Sequence, residues 1–157
     1  MGYSVFFSHS LRDGRLASWI ADNARAIGVQ VYLCERDPRP GQLLAEKVQE
    51  RIEACDAVIA LLTQNGVGST YVQQEIGYAF GKQKRIIPLV SSGIQVKSLA
   101  MLQGVEWLEF DPEKSGASLG RLLEFLANLK SAKERDRAAL FAIGGLVLVA
   151  LASSRDQ

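Results

Sequence analysis

Two rhythms of apolar residues alternate along this chain. A short apolar run, YSVFFS (Tyr3–Ser8), opens it and predicts a first strand. Leu16, Trp19, Ile20, Ala24 and Ile27 then recur at helical spacing, and Gly28 marks the stop. VQVYL (Val29–Leu33) predicts strand two, and the loop CERDPRPG leads to a second helix with Leu44, Val48, Ile52 and Cys55 on one face. DAVIALLT (Asp56–Thr63) is continuously apolar, as a strand covered on both faces should be. QNGVGS reads as a loop, with Ser69 capping helix three. Val72, Ile76, Ala79 and Phe80 form that helix's core stripe; Glu75 sits at its flank, with Tyr71 four residues earlier on the same face. RIIPLV (Arg85–Val90) predicts strand four, its Pro88 implying a place near a ladder end or an edge. A short helical region around Lys97 to Gly104, strand five in VEWLEF, and a leucine-rich helix five ending near Lys130 complete the series.

Five strands alternating with helices predict an α/β, flavodoxin-like, doubly wound parallel sheet of order 2-1-3-4-5, because each parallel crossover needs a helix and is right-handed. Ligands of such sheets bind outside the C-terminal strand ends, where the winding reverses. SHSLRDGR after strand one and TQNGVGS after strand three therefore line the crevice, with CERDPRPG close by. Glu75 lies in the helix that starts beside it, where a carboxylate meets the crevice and the helix N-terminal field together.

The C-terminal part has a different pattern. Ala138 to Ala152 carries no charge and is flanked by KERDR and, after two serines, RDQ. With both serines it reaches about 26 Å as a helix, against a hydrocarbon core of about 30 Å. A span therefore calls for bilayer thinning or for snorkelling of Arg137 and Arg155. Apolar side chains on every face favour membrane insertion; packing in an assembly or on the domain is the alternative. On insertion, Lys133, Arg135 and Arg137 keep the main domain cytoplasmic. The expected division is a domain over 1–132 and an apolar helical tail over 133–157. The opening segment reads as a strand and not as a signal peptide.

Composition narrows the classes. The 157 residues are 48% hydrophobic and 22% charged, ordinary for a globular domain, and a net charge of +1 argues against nucleic-acid binding. Cys34 and Cys55 read as small buried apolar residues in a reducing compartment. One histidine and no cysteine pair at ligand spacing argue against a structural zinc site.

Three segments in order carry a resemblance. VFFSHSLRD, VYLCERDPRPG and ACDAVIALLTQNGVGSTYVQQEI resemble the boxes of the Toll/interleukin-1 receptor (TIR) domain family, over roughly Tyr3 to Lys130. Pro40-Gly41 falls where the family's BB loop has its proline, and Ser69, Tyr71 and Glu75 fall where it has a serine, an aromatic (commonly Trp) and a glutamate. Tyr71 in place of Trp, and Ala54–Asp56 in place of a serine-containing turn, depart from the pattern.

The resemblance implies the branch that cleaves the nicotinamide–ribose bond of NAD+, with Glu75 catalytic. Nicotinamide and ADP-ribose or a cyclic ADP-ribose isomer are the expected products, in immune (anti-phage type) signalling or NAD depletion. NAD+ enters as substrate, and no cofactor or metal is expected. Ser8, His9 and Ser10 line the pocket or bind the diphosphate. Tyr71 either stacks on the ribose or nicotinamide or packs as a surface aromatic. Arg36 either pairs with a phosphate or is solvated, and Ser69 caps the helix and reaches the ribose. Asp13 pairs locally with Arg12 or Arg15. The resemblance also implies a homo-oligomer, the BB loop with Pro40 and Gly41 completing the site between protomers. The alternative is a non-catalytic adaptor acting by self-association. A phospho-acceptor or flavin domain of the same topology is disfavoured, because SHS supplies no acidic cluster and no loop after strand one cradles a phosphate.

Overall fold

A computed structural model describes residues 2–34, 44–95 and 100–153. Five strands, β1 (Ser4–Ser8), β2 (Gln30–Leu33), β3 (Ala57–Leu62), β4 (Arg85–Ser91) and β5 (Leu108–Phe110), pair in parallel in the order β2-β1-β3-β4-β5. This is the doubly wound order that the alternation predicts. Successive strand residues face opposite sides, so the central strands feed two cores. Val5, Phe7, Ile59, Leu61 and Leu89 pack under α1 (Gly14–Ala26) and α5 (Ser115–Ser153). Phe6, Val58, Ala60 and Leu62 pack on the other face, under α2 (Leu44–Ala54) and α4 (Thr70–Gly81). Pro88 pairs with Ala60 and precedes the first β4–β5 pair, Leu89 with Leu108, so it lies just outside that ladder, as expected of a residue with no N–H.

Several helical details differ from the periodicity. In α1 the buried residues are Ala17, Ile20, Ala21 and Ala24, and Trp19 is left exposed because the small alanines carry the close approach to the sheet. QNGVGS holds a one-turn helix, α3 (Gln64–Val67), where a loop was expected; Thr63 caps it by accepting from the Gly66 amide at 3.0 Å. In α4 the buried stripe is Val72, Glu75, Ile76 and Ala79, an i, i+3, i+4, i+7 set, while Phe80 is exposed. The helix is thus rotated so that Glu75 is buried, not flanking. Strand five is shorter than VEWLEF, and Trp107 before it is exposed. Of the helical region expected near Lys97 to Gly104, Ala100–Leu102 form a 3-10 turn.

The last helix does not end near Lys130. α5 runs unbroken to Ser153, because nothing between Lys130 and Ala138 is a Gly or Pro stop. Leu119, Leu122 and Leu126 bury its first half, and from Arg135 onward every described residue is exposed. Lys133 marks the change. Its Nζ donates to both Asp56 carboxylate oxygens at 2.8 Å and to the Gly2 carbonyl at 3.2 Å. By its ordinary propensities partial burial would raise the Asp56 carboxyl, but hydrogen bonds from Lys133 and Ser4 outweigh that and hold it below its usual range.

Candidate active site

β1 ends between β2 and β3, at the point where the winding reverses. Its last residue, Ser8, is fully buried and alternates with Phe7 onto the α2/α4 face. Glu75 comes down from the second turn of α4 and is only 5% exposed. The Ser8 hydroxyl donates to Glu75 Oε2, and the Cys34 thiol, immediately after β2, donates to Oε1 at 3.2 Å. Two strand ends and a helix thus converge on one carboxylate. Burying such a group costs several kcal/mol unless it is hydrogen-bonded, so these donors are what make the position tenable.

The loops around it are tied to each other. Asp13 is buried and accepts from Thr63 Oγ1 at 2.5 Å and from Asn65 Nδ2 at 2.9 Å, which joins the loop after β1 to the loop after β3. The expected local pairing of Asp13 with Arg12 or Arg15 gives way to these partners because the sheet brings the two loops side by side. Gly66 completes the tie: a Cβ there would lie 2.2 Å from the Leu61 carbonyl oxygen, so only glycine lets α3 pack this closely on the end of β3.

A cleft of about 460 Å³ opens between these loops and the start of α4, lined among others by Ser10, Arg12, Asn65, Ser69 and Tyr71. Ser10 caps the 3-10 turn Leu11–Asp13 by accepting from the Arg12 amide at 3.3 Å. Ser69 caps α4 by accepting from the Val72 amide at 3.4 Å. Tyr71 is 52% exposed on the cleft rim, so it does not share the buried face of Glu75 as its spacing suggested; between them the helix surface turns from solvent to core. His9 is buried, with Nδ1 3.3 Å from the Phe7 carbonyl oxygen and its ring edge-on to the Phe7 ring. A second hollow of about 380 Å³ lies on the α2 side, where Arg51 sits 4.9 Å over the Tyr32 ring. Cys34 lines it and so connects it to Glu75.

Ser8 and Glu75 are therefore brought into direct contact, and Ser10, Ser69 and Tyr71 share the adjoining cleft. Arg36, Pro40 and Gly41 lie outside the described residues. Cys34 and the Asp13–Thr63–Asn65 set were not singled out as site residues. Their positions in the crevice loops were the available signal, but a cysteine that packs like an apolar residue hides a thiol donor. Among the described residues no three His, Cys, Asp or Glu side chains come together as a set able to hold a metal ion.

Comparison with known proteins bears on the family and the fold. The profile of the TIR domain family matches residues 5–123. A Brachypodium distachyon protein, named probable 2' cyclic ADP-D-ribose synthase BdTIR, is 27% identical over 89 residues, 55% of this chain and 40% of that protein. The chain thus spans about two-fifths of the length of that curated relative. The TIR domain of the Toll-related receptor TRR-2 from Hydra magnipapillata superposes with a TM-score of 0.65 at 17% identity, covering 80% of this chain and 98% of that one. A TIR-STING receptor from C. gigas gives a TM-score of 0.65 at 19% identity, covering 78% of this chain and 39% of that one. At such identities the two structures speak for the fold. With the family profile running from β1 into α5, on a sheet wound in this order, the chain belongs to the TIR domain family.

Proposed function

We propose that this chain cleaves the nicotinamide–ribose bond of NAD+, with Glu75 as the catalytic carboxylate. The observation that carries the reading is a buried glutamate at the switch point, held by the Ser8 hydroxyl and the Cys34 thiol beside an open cleft. The name of the Brachypodium relative, a cyclic ADP-ribose synthase, supports the same bond being cleaved here.

The chemistry needs little more than a fixed negative charge. The C–N bond breaks, its electron pair goes to the ring nitrogen, and the cationic pyridinium leaves as neutral nicotinamide. No general acid has to protonate it. The ribose is left with oxocarbenium character, as in glycoside cleavage. Glu75 stabilises that positive charge, and because its donors hold it in place beforehand, little reorganisation is needed during reaction. Water then adds and loses a proton to give ADP-ribose, or a nucleophile of the same molecule closes a cyclic isomer.

Ser10, Ser69 and Tyr71 contact the substrate from the cleft, His9 backs the loop, and Arg36 pairs with the diphosphate. The BB loop with Pro40 and Gly41 completes the site from a neighbouring protomer, so activity depends on self-association. The tail, 133–157, anchors the domain to the cytoplasmic face of a membrane, where confinement raises its effective concentration. Immune signalling or NAD depletion is the setting we assign to this activity.

The test is NAD+ consumption by the full chain, at high protein concentration, against Glu75→Gln, with products separated by chromatography. Turnover lost in a folded Glu75→Gln protein is expected, and the product peak names hydrolysis or cyclisation. Equal turnover in both proteins removes Glu75 from the catalytic role, and no turnover in an assembled wild type overturns the reading in favour of an adaptor.

A further inference from the structure

We propose that the domain stands on the bilayer on the N-terminal edge of its sheet, with the Glu75 crevice facing away from the lipid. The partner is a lipid surface, and the proposal rests on the anchoring role given to the tail above.

The direction of α5 sets the orientation. It starts beside the C-terminal end of β5, where the Ser118 hydroxyl accepts from the Asp111 amide at 2.9 Å. It then returns along the sheet to the opposite edge. There Lys130 donates to the Ile27 carbonyl at 3.3 Å, and Lys133 holds Asp56 and Gly2. The apolar half therefore leaves from the strand N-termini, the end of the sheet remote from Ser8 and Glu75. β4, with its seven residues, makes that sheet about 23 Å tall.

The occupant follows from the faces of the tail. Leu140, Phe141, Ile143, Leu146, Leu148 and Val149 are each at least 60% exposed, and their spacing puts them on every side of the helix. A second helix would cover one stripe and leave the others in water; lipid chains cover all of them at once. Within α5 a stretch of mean hydropathy 1.7 makes it long and apolar enough to cross a membrane.

The distance is short. Ala138 lies five residues on from Lys133, about 8 Å of helix, comparable to one headgroup layer. The sheet edge therefore lies against headgroups, not at the end of a tether. That edge carries cationic side chains. Lys82, Lys84 and Arg85 sit together where α4 returns to β4, with Lys82 paired to the Glu53 carboxylate at 2.9 Å and Arg85 exposed. Lys84 Nζ donates to two backbone carbonyls, those of Glu53 and Cys55, and with Lys82 and Arg85 it outnumbers the Glu53 carboxylate beside it, which leaves this cluster net positive toward anionic lipid.

The full chain in phosphatidylcholine–phosphatidylserine vesicles tests this. Cys34 and Cys55 are 7% and 2% exposed, and burial pushes the Cys55 thiol up to about 11, so a maleimide dye selects an introduced exposed cysteine. One label goes on Gln30→Cys at the N-terminal edge and one on Gln64→Cys at the crevice end, both exposed positions. A spin label on the lipid headgroup should quench the first several-fold more than the second. Equal or reversed quenching in protein that floats with the vesicles overturns the orientation and leaves anchoring intact. Failure to float overturns the anchoring and the orientation with it. A flexible Gly-Ser insert between Glu134 and Arg135 should preserve flotation and erase the difference between labels. A difference that survives the insert overturns the role of the continuous helix.

Discussion

The Ser8 hydroxyl donates to the Glu75 carboxylate across 67 residues of chain, joining the end of β1 to the second turn of α4. A helical glutamate becomes a candidate for chemistry through this contact. The bond fixes one carboxylate oxygen while Cys34 fixes the other. Ser8→Ala should therefore lower kcat for NAD+ cleavage about tenfold, the equivalent of one hydrogen bond of about 1.4 kcal/mol. KM should change little, because Ser8 is buried beneath the carboxylate. Steady-state kinetics on the folded variant decide it; a raised KM at constant kcat would assign Ser8 to substrate binding instead.

Asp13 holds a different part of the site. Its two oxygens take donors from Thr63 and Asn65, so Asp13→Ala leaves a hydroxyl and an amide without their acceptor in a partly buried junction. A loss of about 2 kcal/mol in unfolding free energy is expected. Because the junction shapes the cleft and does not touch Glu75, KM for NAD+ should rise several-fold with a smaller effect on kcat. Urea unfolding and kinetics on the same preparation separate the two effects. A variant that loses kcat alone would contradict the assignment.

Gly66 offers a test with an internal control. A methyl group there meets the Leu61 carbonyl at 2.2 Å, whereas at Gly68 the nearest atom is the Gln64 carbonyl oxygen at 3.6 Å. Gly66→Ala must displace α3 or the end of β3, and should cost about 3 kcal/mol, in the range of strained or overpacked core substitutions. Gly68→Ala should stay within about 0.5 kcal/mol. Thermal unfolding of the pair checks the contrast; equal stabilities would mean that α3 is free to move.

What the sequence disclosed, and what it hid, follows from the range of the interactions. Strand order was legible because apolar runs separated by helical spacing permit few parallel windings, and the place of Glu75 near the switch point followed from that order. The rotation of α4 was not. Phe80 and Glu75 are both compatible with the stripe begun by Val72 and Ile76, and hydrophobicity alone favours Phe80. The choice is made by Ser8 and Cys34, which lie 67 and 41 residues away in sequence. Asp13 shows the same limit: its neighbours Arg12 and Arg15 suggest local pairing, but its partners stand 50 and 52 residues on. The unbroken α5 escaped for the opposite reason. Its change from buried to exposed happens with no change in backbone, so a switch in composition near Lys130 looked like an end.

The Lys133–Asp56 contact should leave a signature in acid. Partial burial acts to raise the Asp56 carboxyl, yet the hydrogen bonds from Lys133 and Ser4 prevail and lower it from its ordinary 3.8. A carboxyl depressed on folding contributes stability above its unfolded value and loses it as pH falls through the folded one. Asp56 and Lys133 side chains are 26% and 33% exposed, so solvent screens the pair and its worth at neutral pH is about 1 kcal/mol. Asp56→Asn should therefore be less stable than wild type by about that much at neutral pH, and the gap should close as pH falls through and below the ordinary carboxylate range. Hydrogen exchange at the backbone amides of residues 133–137 should rise in the variant at neutral pH, because the helix there is held to the domain chiefly through Lys133. A stability gap that persists in acid would mean that Asp56 acts through Ser4 packing and not through the charge that fastens α5 to the sheet.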